Sequence, residues 1–135
     1  MSRLPENVQR TMEKAHNVWV ATVGEDGWPN VAIKGSGALL DDEHLYYADL
    51  FSKKTRVNLA HDDRVAVGIF DPDNKVAVQV KGRADTVTDG DLFHRVAERI
   101  AGLQAGLPPI QAVVRIQVES VWNLGAGAEA GERMA

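Results

Sequence analysis

The chain has 135 residues, 44% of them hydrophobic, and carries a formal net charge of −4 at pH 7. This length suits one domain with a hydrophobic core, and the hydrophobic content argues against disorder. The absence of cysteine excludes disulfides and thiolate catalysis, and the acidic balance disfavours a nucleic-acid surface. Residues 1–6 lack the apolar core of a signal peptide, and no apolar run reaches membrane-spanning length. We therefore expect a cytoplasmic protein whose partners include neither a nucleic acid nor a membrane.

The first elements are predicted to be a helix and two strands. Apolar residues recur every three or four positions from residue 4 to residue 15, which predicts an amphipathic helix. Residues 17–23 are β-branched or aromatic on both faces, which is typical of a buried strand. Residues 30–40 predict a second strand, and it contains Gly35-Ser36-Gly37. Glycines in a strand permit a bulge or the close approach of another group, and both interpretations stay open.

Four more strands and two more helices are predicted further along. Residues 45–48 are aromatic and strand-like, and a short helical pattern begins in the basic residues 53–56. Gly82 is predicted to form a bulge where a long strand bends. Residues 88–91 can cap a helix whose apolar stripe ends near Gly106. The remaining strands are expected at residues 64–70, 75–86 and 111–121.

These elements predict a mainly β fold. Six strands in neighbouring hairpins, with helices in the crossovers, favour a small antiparallel barrel. Closure of the barrel is expected because it removes the exposed edges of the sheet. The domain is expected to span residues 1–124. Residues 125–135 are rich in Gly, Ala and Glu, so we predict a mobile C-terminal tail.

Positive charge is concentrated in one stretch of this acidic chain. Lys53, Lys54 and Arg56 follow Ser52, which is placed as a possible helix N-cap. A helix N-terminus presents unpaired N–H groups and the positive end of its dipole, so neighbouring hydroxyl and ammonium groups would complete a phosphate site. The alternative is a solvated basic helix face, which the charge pattern alone favours.

Other kinds of site are not supported by the sequence. The four histidines have no paired spacing on a helix face and no cysteine beside them, so no metal site is predicted. The acidic pairs at residues 41–42, 62–63 and 71–73 fall at predicted turns, where Asp is favoured for its backbone hydrogen bonds. Neither a dinucleotide fingerprint nor a nucleophile elbow is present around Gly35-Ser36-Gly37. No catalytic residue is therefore identified.

The order of the elements and the basic loop together resemble a known family, the FMN-binding split barrels related to pyridoxamine 5′-phosphate oxidase. The resemblance spans residues 18–86 and implies a six-stranded antiparallel split β-barrel with Greek-key-like connections and short crossover helices. A Lys-Thr pair like Lys54-Thr55 is typical of the small bacterial FMN-binding members. The motifs that carry the resemblance are Gly27-Trp28-Pro29, the strand with Lys34, Leu45-Tyr46-Tyr47-Ala48, Phe51-Ser52-Lys53-Lys54 and residues 62–67.

The resemblance implies FMN as the cofactor and assigns residues to it. Lys53 and Lys54 would bind the phosphate, with Ser52 and Thr55 as further donors. A glutamine from a later strand of the family corresponds to Gln79, although strict counting places Ala77 there. The residues implied along the flavin ring are Ala32, Ile33, Lys34 and Gly35, with Tyr47 and Ala48 at a second contact point. A core aromatic remains the alternative for Tyr47.

The sequence departs from the oxidase at two places. The arginine that reaches the phosphate in the oxidase is replaced by Ala32, and Lys34 on the same strand face is the candidate substitute. No Arg-x-His segment follows Trp122, so oxidation of the vitamin phosphate is not expected.

The resemblance implies an FMN-dependent oxidoreductase or electron-transfer protein with an unknown substrate, electron donor and acceptor. It also implies a homodimer that holds the cofactor at the subunit interface. A non-catalytic ligand-binding or sensor protein on the same barrel is the alternative.

Overall fold

The computed structural model describes residues 1–103 and 106–135. Within these ranges the chain forms three helices and seven strands. In chain order the elements are α1 (Glu6–Met12), β1 (Val18–Val23), β2 (Pro29–Lys34), β3 (Ala38–Asp41), β4 (His44–Asp49), α2 (Lys54–His61), β5 (Arg64–Asp71), β6 (Val76–Val87), α3 (Gly90–Ala101) and β7 (Ala112–Asn123).

The strands form a single antiparallel sheet in the order β2-β1-β5-β6-β7-β4-β3. Its two edge strands, β2 and β3, are consecutive in the chain and are joined by Gly35-Ser36-Gly37 alone. Such a short connection requires the sheet to curl until its edges approach each other. The result is an antiparallel barrel that is split between β2 and β3. The predicted mainly β barrel is therefore confirmed.

The number of strands differs from the prediction, because the single strand expected at residues 30–40 is divided into β2 and β3. The chain crosses from one sheet edge to the other at Gly37. A Cβ atom there would lie 2.8 Å from a methyl carbon of Val18, so only glycine permits this close crossing. Of the two interpretations of these glycines, Gly37 supports the close approach of another group.

The interior of the barrel is filled by alternate residues of its strands. Val76, Val78 and Val80 share one face of β6, as their alternation in the sequence indicates, and all three are buried. Helix α1 adds Val8 and Met12 to the same hydrophobic cluster, and Leu4 just before the helix joins them. A second cluster joins Val96 and Ile100 of α3 to Ala48, Ile110 and Val113. The amphipathic character predicted for both helices is thus used to cover the barrel.

The predicted bulge at Gly82 is also confirmed. The pairing of β6 with β7 shifts register between Lys81 and Gly82. A Cβ atom at residue 82 would collide with the backbone carbonyl oxygen of Gln117, so glycine allows the two strands to approach closely here.

Strand β1 is buried on one face only, which corrects the prediction of a strand buried on both faces. Val18, Val20 and Thr22 point inward, whereas Trp19 is 38% exposed and Val23 is 37% exposed. Ladder partners share a face, and Trp19 lies opposite Ile33 of β2 and Gly68 of β5. We call this surface the outer apolar face, and its large exposed side chains are Trp19, Val23, Val31, Ile33 and Phe70.

The segment after residue 124 returns to β7. The Val121 N–H donates to the Ala135 carbonyl oxygen at 3.1 Å, and the Met134 N–H donates to the Val121 carbonyl oxygen at 2.7 Å. The mobility of this tail in solution stays a prediction, which amide hydrogen exchange over residues 125–135 would check. Across residues 1–103 and 106–135, no helix combines the length and apolar character needed to cross a membrane.

Candidate functional site

A cavity of about 470 Å³ opens where the β2–β3 crossing meets the end of β4. Its walls are mainly apolar, and Lys34 is the one charged side chain among the described lining residues. Three segments contribute: the crossing, the residues that follow β4, and the C-terminal end of α3. The lining residues are Ile33, Lys34, Gly35, Ser36, Ala48, Leu50, Phe51, Ile100, Leu103 and Leu107.

Ser36 ties the crossing to β4. Its hydroxyl accepts a hydrogen bond from the Ala48 N–H at 2.8 Å and donates to the Ala48 carbonyl oxygen at 3.2 Å. The Ser36 carbonyl oxygen accepts from Nη2 of Arg99 at 2.7 Å, and the Arg99 guanidinium lies over the ring of Tyr46. Because Ser36 is buried, these bonds are well shielded from water and hold one wall of the cavity in place.

Lys34 brings a half-buried positive charge to the cavity. Strand alternation turns it to the same face as Ala32, and its Nζ lies 5.4 Å from the centre of the Tyr47 ring. Burial lowers the pKa of Lys34, and the nearby Asp49 carboxylate opposes this effect. Within the described ranges no carboxylate forms a direct ion pair with Lys34. Its ammonium is therefore available to an anionic ligand.

The basic loop lies directly after the cavity residues Leu50 and Phe51. Helix α2 begins at Lys54 with Lys53 as its N-cap, and no side chain caps it. The prediction of Ser52 as the N-cap is wrong, because the helix begins one residue later than that position requires. The buried Ser52 hydroxyl has no hydrogen-bond partner within the described residues, while Lys53 and Lys54 are exposed. This loop combines a free hydroxyl, two ammonium groups and the unpaired N–H groups of a helix start.

Arg56 is also exposed, with 46% of its side chain accessible, but its guanidinium is already engaged within the protein. Its Nε and Nη2 donate to Oδ2 of Asp49 at 3.0 and 2.7 Å, and Nη2 also donates to the side-chain oxygen of Gln111. The Asp49 side chain is only 4% exposed, and its Oδ1 accepts the Ser52 N–H at 3.0 Å. Much of the Arg56 charge is thus neutralised inside the protein.

Helix α2 is held on the barrel by a buried polar network. Asn58 donates to the Thr22 hydroxyl at 3.0 Å. The Asn30 amide lies 3.4 Å from the hydroxyls of both Thr22 and Thr55. Thr55 is buried and turned toward β1 and β2, so its backbone N–H rather than its hydroxyl faces the loop. Polar bonds to two strands therefore fix where the helix begins.

The predicted site residues fall into separate groups. Ile33, Lys34, Gly35 and Ala48 line the cavity, and Ser52, Lys53 and Lys54 form the neighbouring loop. Outside these two groups lie Ala32, opposite Val20 in the barrel wall, Thr55 below the loop, and Tyr47, which is 1% exposed beneath Lys34.

Gln79 lies apart from the cavity within one chain. It pairs with Gly68, which pairs with Trp19, which in turn pairs with Ile33. Strands are about 4.8 Å apart, so Gln79 sits about 14 Å from Ile33 along the outer apolar face.

Several residues of the site were missed by sequence reasoning. Ser36 was considered only for motifs that it does not match, and Asp49 resembles any polar residue at a strand end. Ile100 and Leu103 were recognised only as part of the apolar stripe of a helix. Leu50, Phe51 and Leu107 carried no signal besides their position beside the basic loop and the end of α3.

These features define a class: small antiparallel split barrels with a basic loop at a helix start beside an apolar cavity. The family model described as pyridoxamine 5′-phosphate oxidase matches residues 4–125. The chain belongs to this family, which confirms the resemblance seen in the sequence.

Individual proteins extend the comparison. An uncharacterized protein of Methanocaldococcus jannaschii is 32% identical over 136 residues, which cover 98% of this chain and 89% of that protein. The crystal structure of HupZ from Group A Streptococcus has a TM-score of 0.80 at 26% identity, covering 95% of this chain and 99% of HupZ. An FMN-binding protein from Syntrophomonas wolfei has a TM-score of 0.71 at 17% identity, covering 90% of this chain and 92% of that protein. This last likeness concerns the fold alone.

Proposed function

We propose that this protein binds FMN and acts as an oxidoreductase or an electron-transfer protein. The observation that carries the proposal is the buried Ser52 hydroxyl, which has no partner within the described residues and lies next to the exposed Lys53 and Lys54 at the start of α2 and beside an apolar cavity. Buried hydroxyls normally have partners, so a free one beside unpaired helix N–H groups fits an anionic ligand. Membership of the oxidase family and the FMN-binding name of the Syntrophomonas wolfei protein support the choice of FMN.

The cavity residues suit the flavin ring of FMN, and the loop residues suit its phosphate. Ligand cavities range from about 300 to 1,000 Å³, and the apolar cavity of about 470 Å³ suits a planar ring. Ile33, Gly35 and Ala48 would contact the ring, and Ser52, Lys53 and Lys54 would hold the phosphate. The Lys34 ammonium would face the ligand from the cavity wall. Bound FMN supplies hydride or single-electron exchange.

The chain's own residues bind and orient this group. The Ser36 bonds to Ala48 keep the β2–β3 crossing rigid, so the backbone groups of Lys34 and Gly35 stay in place. Leu103, Leu107 and Phe51 line the cavity and would exclude water from a bound ring. No histidine or carboxylate is among the described lining residues, so proton transfer by a side chain is assigned to none of them.

We also propose a homodimer with the cofactor between its subunits. Single exposed apolar residues are ordinary, but contiguous apolar patches on a protein surface mark interaction sites. The outer apolar face is such a patch, with Val31 and Ile33 each 65% exposed. Because Ile33 lies both on this face and in the cavity lining, a second copy packed here would cover the cavity. In this arrangement Gln79 of the same face would reach the cofactor across the interface.

The absorption spectrum of the purified protein tests the proposal. We expect flavin bands, in the protein as purified or after incubation with FMN, that NAD(P)H or dithionite bleaches. A colourless protein that never takes up FMN would refute it. Among the described lining residues Lys34 is the one titratable group, which favours one alternative, a non-catalytic ligand-binding or sensor protein. That alternative predicts bound FMN that is not reduced by NADH or NADPH and does not transfer electrons to added acceptors.

A further inference from the structure

We infer that Asp49 is a positioning residue that shapes the phosphate site without touching the phosphate. The inference rests on the proposed function. Asp49 ends β4, and its position is fixed by the sheet, since it pairs with Ala112 and its carbonyl oxygen accepts the Gln111 N–H at 2.8 Å. Its carboxylate is nearly inaccessible to solvent.

One carboxylate holds both ends of the basic loop. Oδ1 accepts the Ser52 N–H, and Oδ2 accepts two N–H groups from Arg56 in the first turn of α2. The loop between these anchors contains Lys53 and Lys54. Because both of its ends are held, its backbone has one fixed path between β4 and α2. This fixed path places the Ser52 hydroxyl in its buried, unpartnered position.

The ion pair between Asp49 and Arg56 also sets the net charge of the phosphate site. A buried carboxylate beside a phosphate would repel it, and Arg56 offsets that charge through two N–H groups that share Oδ2. Lys53 and Lys54 are then the loop cations left for the phosphate itself, and their charge matches the charge of nearly −2 on a phosphate monoester at neutral pH. Arg56 thus supports FMN binding by neutralising Asp49 and not by direct contact.

A charge-balanced pair of variants tests this assignment. Arg56→Gln leaves the Asp49 charge unpaired, so we expect FMN affinity to fall about tenfold while riboflavin affinity is unchanged. The double variant Asp49→Asn/Arg56→Gln removes both charges and keeps an acceptor for the Ser52 N–H. We expect it to recover FMN affinity to within about threefold of the wild type. Failure of the double variant to recover affinity would overturn the inference, because it would show that Arg56 itself binds the phosphate.

A matched control is available at the other end of α2. Arg64 makes a similar ion pair with Asp62, 2.6 Å long, far along the helix from the loop. Arg64→Gln should leave the affinity for both flavins unchanged. If Arg56→Gln lowered FMN and riboflavin affinity equally, its role would be structural support only, and the inference would be wrong.

A second measurement does not depend on FMN. Amide hydrogen exchange at Ser52 in the flavin-free protein should be at least tenfold faster in Asp49→Ala than in the wild type, and should stay close to the wild-type rate in the double variant. Unchanged exchange in Asp49→Ala would overturn the inference. A wild type that binds no FMN, combined with the expected exchange result, would instead reject the proposed function and retain the positioning role.

Discussion

At the scale of single residues, the site is built from groups whose ordinary partners are missing. The Ser52 hydroxyl and the Lys34 ammonium are both partly withdrawn from water, and neither is paired with a carboxylate in the described structure. Burying such groups costs free energy unless a ligand completes their interactions. The folded protein is thus prepared for an anion at these positions. Substitutions there should therefore have different effects on FMN affinity and on folding stability.

Lys54→Ala tests the phosphate loop. Lys54 is exposed at the first turn of α2, so its loss should hardly change folding. A hydrogen bond to a charged partner contributes about 1.5–3 kcal/mol, so FMN binding should weaken by about ten- to a hundredfold. Riboflavin, which lacks the phosphate, should bind as before, and Lys14→Ala, in the turn that follows α1, serves as the matched control. Flavin fluorescence titrations measure both affinities, and equal FMN constants for all three proteins would contradict the prediction.

Lys34→Met is expected to raise the stability of the flavin-free protein and to weaken FMN binding. Burial lowers the pKa of Lys34 from its ordinary value of 10.5, so the unfolded state binds the proton more tightly than the folded state. Wild-type stability therefore rises with pH between the lowered pKa and 10.5. The advantage of the variant should shrink as pH increases through this window. Thermal unfolding at several pH values checks this, and a pH-independent difference would contradict it.

At the scale of elements, the position of the site depends on how strands and helices approach each other. Gly37 lets the β2–β3 crossing pass Val18, and Ser36 then bonds to β4. Helix α2 is placed by Asn58 and Thr22, and α3 supplies the far wall of the cavity. Each contact joins parts of the chain that are distant in sequence. The cavity is therefore a product of tertiary packing.

Gly82→Ala should destabilise the protein by about 2 kcal/mol or more, because a Cβ atom there would overlap the Gln117 backbone and strain the ladder. Gly68→Ala is the matched control on the neighbouring strand, since a Cβ atom there would meet Trp19 at an ordinary 3.5 Å. Chemical denaturation of both variants gives the comparison. Equal effects would show that the bulge tolerates a side chain.

At the scale of the whole molecule, sequence alone predicted much of the barrel. Alternation of apolar residues identified β6 and β7 and showed which of their residues share a face, and the resemblance located the loop at residues 52–55. The break at Gly35-Ser36-Gly37 was not predicted, because alternation of apolar residues continues across a crossing between two edges. Asp49 was missed because its function depends on Arg56 and Ser52, which only the folded loop brings to it.

The outer apolar face leads us to predict that the protein forms a homodimer. We expect the wild type to sediment as a dimer at micromolar concentration, because its exposed strands β1, β2 and β5 present apolar side chains to a second copy. Val31→Lys should give monomers and weaken FMN binding, since a charge at the centre of an interface is costly. Val57→Lys on α2 is the control, as Val57 is similarly exposed but lies off this face. A dimeric Val31→Lys variant would place the interface elsewhere.

The order of the strands has a consequence for how the barrel folds. Local hairpins unite β1 with β2, β3 with β4, and β5 with β6, and β7 joins β6 across the connection that contains α3, so three units can form. Only the β1–β5 and β4–β7 ladders connect them, and both require long loops to close first. Residues 35–37 therefore join two units that nucleate separately. The cavity beside this junction can form only after both slow ladders are complete, so the capacity to bind flavin should be among the last properties to appear during refolding.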